Sequence, residues 1–229
     1  MSKRFIRFDV IALIAVSIAF LSYPQLDLVI SSWWYNAEDG FHLSRTFFPR
    51  LILVGIVYLA MFFIVSITAL SVAAYLFRGT RLYQYRVRLL FLFLAMMIGP
   101  TLIVNTVIKD NSGRARPSQI EYFGGKALYS PPLKIADQCD ANCSFVSGHA
   151  AAGFFFICFG FLTTRYRRYW ILFGITFGLV VGLGRMMSGS HFLSDIIYSG
   201  FVCWFSILGV YHLMRKRIER EQKAYEIRS

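Results

Sequence analysis

The sequence predicts an all-α fold: an integral membrane bundle of about six transmembrane helices with both termini in the cytoplasm. Three observations carry that expectation. The 229-residue chain is 57% hydrophobic and only 16% charged, with a mean hydropathy of +0.55. Its apolar residues come in runs of about 20, the helix length that crosses the hydrocarbon core of a bilayer. Its net charge of +12 sorts to one side of those runs, as cytoplasmic loops rich in Lys and Arg require.

The six predicted spans are 8–23, 51–77, 87–108, 148–164, 169–187 and 192–214. The first follows a basic start (Lys3, Arg4, Arg7), but Tyr23-Pro24-Gln25 offers no small-x-small cleavage site. It is therefore read as a retained span rather than a signal peptide. With the N-terminus inside, the inner segments hold Arg78, Arg81, Arg86 and Arg88, then Arg165, Arg167 and Arg168, then the basic tail 215–229. Sixteen of the 24 basic residues and four of the 12 acidic ones then lie inside, and the outer side holds eight of each. The whole excess of positive charge is cytoplasmic, which removes the main support for a nucleic-acid partner. The tail alternates charges and is expected to extend the last span as a solvated helix. One domain, 1–229, accounts for the chain.

The outer segments are less regular. In 24–50, Trp33, Trp34 and Tyr35 suit the headgroup level, and 26–35 is expected to lie along the interface. The longest polar stretch, 109–147, holds Gly113, Gly124, Gly125, Pro117, Pro131 and Pro132 and reads as loop. Of four cysteines, Cys158 and Cys203 fall inside spans and read as small apolar residues. Cys139 and Cys143 share the outer loop; an oxidising compartment favours a local disulfide over two free thiols.

Three outer clusters, each where a span meets the surface, carry chemistry. The first runs from Lys109 to Pro117 and places Lys109, Arg114 and Arg116 on the side where cations are least expected. Read functionally it is an anion clamp; read plainly it is a solvated basic loop. The second, Ser147-Gly148-His149, opens the fourth span. There a helix N-terminus, a hydroxyl and a close backbone approach favour phosphate. The plain alternative is an N-cap serine beside an interfacial histidine. The third joins Arg185 at the end of the fifth span to His191 and Asp195 at the start of the sixth. Asp195, four residues on, shares a helix face with His191 and can fix its tautomer.

Lys109, six residues, Arg116-Pro117; Ser147-Gly148-His149; and Arg185, five residues, His191, three residues, Asp195 together resemble the three-part signature of the type 2 phosphatidic acid phosphatase family. The match spans 109–195 in order and spacing. Val146 stands where many members have proline, and Gly184 where many have serine. The resemblance implies a lipid phosphate phosphatase without metal or other cofactor. In it His191 attacks phosphorus to give a phosphohistidine, Asp195 orients His191, and His149 is general acid and base. Lys109, Arg116, Ser147, Gly148 and Arg185 hold the phosphoryl oxygens. Arg114 lies outside the matched positions, so its loss is expected to cost less than that of His191.

Bacterial members of that family act on lipid A, undecaprenyl pyrophosphate, phosphatidylglycerophosphate or phosphatidate. The Cys-x-x-x-Cys element before Ser-Gly-His in a compact chain looks most like the lipid A phosphatases. The implied location is a bacterial inner membrane with the site facing the periplasm. Two other readings remain at this level: a lipid phosphotransferase using the same site, and a non-catalytic transporter or scaffold. The loop 118–138, long and adjacent to the clamp, is the expected headgroup selector.

Overall fold

The computed structural model describes residues 3–226, with side chains from Phe8 to Lys223. Arg228 lies outside the described residues, as do the side chains of Lys3, Arg4, Arg7 and Glu226. The described residues are helical and loop-like, without a β-strand. Seven α-helical elements are named here in chain order: α1 Lys3–Ser22, α2 Leu26–Ser32, α3 Phe47–Leu76, α4 Arg86–Met96, α5 Gly148–Phe154, α6 Arg167–Met187 and α7 Leu193–Glu226.

Four helical stretches are long and apolar enough to cross a membrane: Phe47–Leu76, Arg81–Ile108, Arg167–Met187 and Leu193–Lys223. A fifth arises if α1 and α2, which meet at an 81° bend, count as one broken span. The chain is thus an integral membrane protein with four or five crossing-length elements, fewer than the six predicted. The difference lies mainly in the predicted span 148–164. There α5 runs into a 3-10 helix, Phe155–Phe161, and the whole rod covers only about 25 Å by helical rise, short of a ~30 Å hydrocarbon core. Its hydrophobicity has another cause. Ala150, Ala151, Phe154, Phe155, Ile157, Cys158 and Phe161 are all buried in the bundle core.

At Met97–Ile108 the helix begun by α4 widens into a π-helix. Pro100 has no N–H to give, and the side chains of Thr101 and Asn105 donate to the Met96 and Pro100 carbonyls, each five residues back, at 3.2 and 2.8 Å. Such wide turns are common near functional sites, and this one ends at Lys109, whose N–H donates to the Val104 carbonyl at 3.1 Å. α2 turns sideways at the 81° bend, as the interfacial reading expects, with Trp33 exposed and Tyr35 packed edge-on to Phe41, 5.5 Å between ring centres.

At the opposite end of the bundle α7 extends through the tail, although not wholly solvated. Glu221 is buried, accepts from the Val87 N–H at 2.9 Å and pairs with Arg88 at 3.2 Å. This carboxylate therefore caps the start of α4 and anchors the tail.

Candidate active site

Lys109, Ser147, Gly148, His149, Arg185, His191 and Asp195 sit at or within three residues of a helix end, whereas Arg116, Cys139 and Cys143 lie in the outer loop. Ser147 is the N-cap of α5: its hydroxyl oxygen accepts from the Ala150 N–H at 3.4 Å, which leaves its own hydrogen to donate. Gly148 permits a close approach, since a Cβ there would meet the side-chain oxygen of Asn105 and push it aside. His149 follows in the first turn. Arg185 lies in the last turn of α6, and a short turn at 188–190 carries the chain to His191 and the start of α7.

Hydrogen bonds at Ser147 tie α5 to α7. The Ser147 N–H donates to the Asp195 carbonyl at 3.1 Å, and the Ser199 hydroxyl donates to the Ser147 carbonyl at 2.8 Å. His149 and His191 are thereby held on facing elements.

His191 is buried, with Nδ1 at 2.9 Å from the Ser144 carbonyl and 3.5 Å from Asp195 Oδ2. A carbonyl only accepts, so Nδ1 carries the proton and Nε2 keeps its lone pair. The backbone of Ser144 is therefore the nearer orienting partner, a contact that the sequence reading did not foresee. Asp195 has other duties. Its Oδ2 accepts from the Phe192 N–H at 2.8 Å and from the Ser144 hydroxyl at 2.5 Å. The first of these is the return half of a capping box at the start of α7. His191 itself lies just before the helix rather than on it. Burial lowers the His191 pKa to about 4, against the opposing pull of Asp195, so the ring is neutral at pH 7.

The cations converge on this ring. Arg185 and Lys109 both act on His191 electrostatically, and both are buried. Burial lowers the Lys109 pKa, and repulsion from Arg116 and Arg185 lowers it further. Arg116, half-buried, donates to the Asn142 carbonyl at 2.9 Å. That carbonyl belongs to the small loop closed by the disulfide between Cys139 and Cys143. Among the described residues, His149 Nε2 and the Arg185 Nε are buried without a hydrogen-bond partner. Buried donors are seldom left unpaired, and a site that awaits an oxyanion is one reason for it.

Two residues outside the predicted set sit at the heart of the site. Arg114 is 1% exposed, and Asp27, from α2, is fully buried. Arg114 bonds Asp195 and Asp27 together, with Nη2 to Asp27 at 2.8 Å and Nη1 to Asp195 at 2.5 Å. Its place is set by Gly113, at φ +59°, where any Cβ would collide with the Ala136 carbonyl. Arg114 is thus no solvated loop residue. The sequence offered one hint, a cation at a helix end on the side where cations are scarce; for Asp27 it offered none beyond an acid in an apolar segment.

One cavity reaches the site, and a second opens beside the turn at 188–190. The first, of about 250 Å³, is mostly apolar and runs between α3, the α4 π-helix and α5, with Lys109 and His149 on its wall beside Ile56, Phe63, Met96 and Phe156. The other, of about 500 Å³, is polar, and is lined by Asp39, His42, Arg45, Ser118 and Ser188. No group of three or more His, Cys, Asp or Glu among the described residues could hold a metal ion.

The PAP2 superfamily profile matches residues 88–219, more than half of the chain and all of the helix ends just described. The chain belongs to the PAP2 superfamily. The resemblance to type 2 phosphatidic acid phosphatases is thereby borne out. The chain is 35% identical over 216 residues to a lipid A 4'-phosphatase of Francisella tularensis subsp. novicida (strain U112), covering 88% of this chain and 92% of that one. It is 31% identical over 190 residues to a lipid A 4'-phosphatase of Rhizobium etli, covering 82% and 69%. A lipid A 1-phosphatase of Rhizobium johnstonii is 34% identical over 108 residues, 46% of this chain and 41% of that one. No solved structure matches the chain. This PAP2 protein is a membrane lipid phosphatase, a phosphoric monoester hydrolase.

Proposed function

We propose that the chain removes a phosphate from lipid A at the periplasmic face of a bacterial inner membrane, through a phosphohistidine at His191. The observation that carries the mechanism is the pair of unpartnered buried nitrogens, His149 Nε2 and Arg185 Nε, beside a neutral His191 whose Nε2 is free. The His191 Nε2 lone pair attacks phosphorus as the ester P–O bond breaks; burial and the clamp cations keep His149 neutral in the empty site, and a bound phosphate dianion, by neutralising those cations, lets it carry the proton that it gives to the departing oxygen. His149 then takes a proton from water, the oxygen attacks phosphorus, and the N–P bond breaks to release inorganic phosphate. Lys109, Arg116, Arg185, Ser147 and the Gly148 N–H hold the phosphoryl oxygens, because phosphoryl transfer needs mainly positioning and charge stabilisation.

The named relatives support lipid A as substrate, and the two cavities fit its parts. The apolar cavity suits an acyl chain reaching the site sideways between helices. The polar cavity suits a sugar-phosphate headgroup, and its wall includes Ser118 from the expected selector loop as well as His42 and Arg45 from the first outer segment. Excess positive charge at the other end of the bundle supports the periplasmic orientation.

The test is phosphate release by purified protein in detergent with EDTA, from lipid A, undecaprenyl pyrophosphate, phosphatidylglycerophosphate and phosphatidate. Mass spectrometry would separate the 4'- from the 1-position. Release from lipid A that persists in EDTA is expected. Loss on chelation restored by Mg²⁺, or preference for another lipid, would overturn the metal-free reading or the substrate respectively. A second result follows from the polar cavity. Arg45→Ala with His42→Ala is expected to lower the kcat/KM ratio of lipid A to phosphatidate about tenfold, the loss of roughly one charged contact. An unchanged ratio would remove the headgroup from this cavity.

A further inference from the structure

The least expected feature of the site is a buried row of three charges, Asp27, Arg114 and Asp195. Arg114 makes four donor contacts: Nε to the Ser130 carbonyl, Nη1 to the Ser194 hydroxyl and to Asp195, and Nη2 to Asp27. The Phe192 ring lies 4.2 Å from its guanidinium carbon. Asp27 is satisfied in turn, accepting from Arg114 and from both the N–H and the hydroxyl of Ser194. The donor contacts of the row are all made to protein acceptors, so the row is not assigned to the phosphate clamp. Nor is a buried ion pair a good source of stability in itself, since apolar packing of the same volume often does as well.

The arithmetic of charge gives it a purpose. Asp195 faces the ring of His191 across 3.5 Å. Paired with Arg114 alone, its charge would be cancelled where the nucleophile needs it. Asp27, whose carboxylate form is favoured by its three donors against the cost of burial, supplies a second negative charge on the far side of Arg114, so the row keeps one net negative charge while both Asp195 oxygens stay bonded. When the N–P bond forms, the imidazole becomes cationic, and that net charge opposes it through the low-dielectric interior.

We infer that Arg114 and Asp27 are positioning residues for the nucleophile: Arg114 fixes Asp195 against His191, and Asp27 preserves the negative charge that stabilises the phosphohistidine. The element that delivers Asp27 is α2, brought to the start of α7 by the 81° bend after α1. The interfacial helix is therefore part of the catalytic apparatus, not only an aromatic anchor. The inference rests on His191 as nucleophile.

Rapid-quench kinetics of the full-length protein with an aryl phosphate tests it by separating phosphorylation of His191 from hydrolysis of the phosphoenzyme. Asp27→Asn, which keeps the shape and removes the charge, is expected to slow phosphorylation about tenfold, and Arg114→Gln about 100-fold, within the range for groups that orient an active-site ligand. KM should stay within about threefold of wild type. Hydrolysis of the phosphoenzyme should not slow, because that step discharges the cation. Arg114→Lys should recover part of the loss. Equal slowing of both steps, a rise in KM with kcat retained, or wild-type rates would overturn the inference. Should Arg114→Gln fail to fold, Asp27→Asn decides alone. His191→Ala runs beside them: if it retains the wild-type rate, the phosphatase reading fails, whereas a dead His191→Ala with fully active Asp27→Asn and Arg114→Gln removes only this inference.

Discussion

Phosphate release by His191→Ala is expected to fall at least about 10³-fold, with residual turnover left to the anion clamp. The size of the effect follows from what the residue does. The clamp can bind and polarise the phosphate without His191, but the proposed nucleophile is lost and His149 is committed to proton transfer. Ser147 is the nearest alternative in type, and its hydroxyl oxygen already accepts from Ala150. Folding should survive the substitution. His191 makes one hydrogen bond, to the Ser144 carbonyl, and Ser144 is held independently by its hydroxyl on Asp195 and by its N–H on the Arg114 carbonyl. The check is initial rate in detergent together with a melting curve. A rate within tenfold of wild type would remove His191 from the role of nucleophile.

Losing His149 has a different signature. His149→Ala is expected to lower kcat by about 10² to 10⁴ on a lipid substrate, the usual worth of a general acid. The reason is the leaving group. A sugar or glycerol alkoxide is strongly basic and must be protonated as it departs, and His149 Nε2 is the unpartnered ring nitrogen beside the clamp. A nitrophenolate needs no such help. With nitrophenyl phosphate the variant should still transfer phosphate to His191 at a near-normal rate. It should then stall, because the water of the second step lacks its base, giving a burst followed by slow turnover. Equal slowing of the first step on both substrates would mean that His149 binds phosphate rather than moves a proton.

The parts of the candidate site that were legible in the sequence are those where the proposed chemistry dictates residue type at short spacing. Lys109, Arg116, Ser147, His149, Arg185, His191 and Asp195 are such residues, and the helix ends do bring their elements together. Partners chosen by tertiary structure left no such trace. Asp27 meets Arg114 across 87 positions, from a segment whose composition reads as an interfacial anchor. The tautomer of His191 is set by a backbone carbonyl, and any residue at 144 has one. For the fold, long apolar runs mark helices reliably, but hydropathy does not tell a crossing helix from one buried among others. The rod Gly148–Phe161 is short and its core-facing side chains are buried, so length and composition support four or five crossing elements where six were predicted.

The proposed mechanism passes through a covalent intermediate. The most direct measurement is to mix the protein with radiolabelled lipid substrate, quench in alkali within milliseconds, and map the label by peptide. The prediction is one alkali-stable, acid-labile phosphate on His191, absent from His191→Ala and prolonged in His149→Ala. No label at any quench time, or label that maps to another residue, would contradict it.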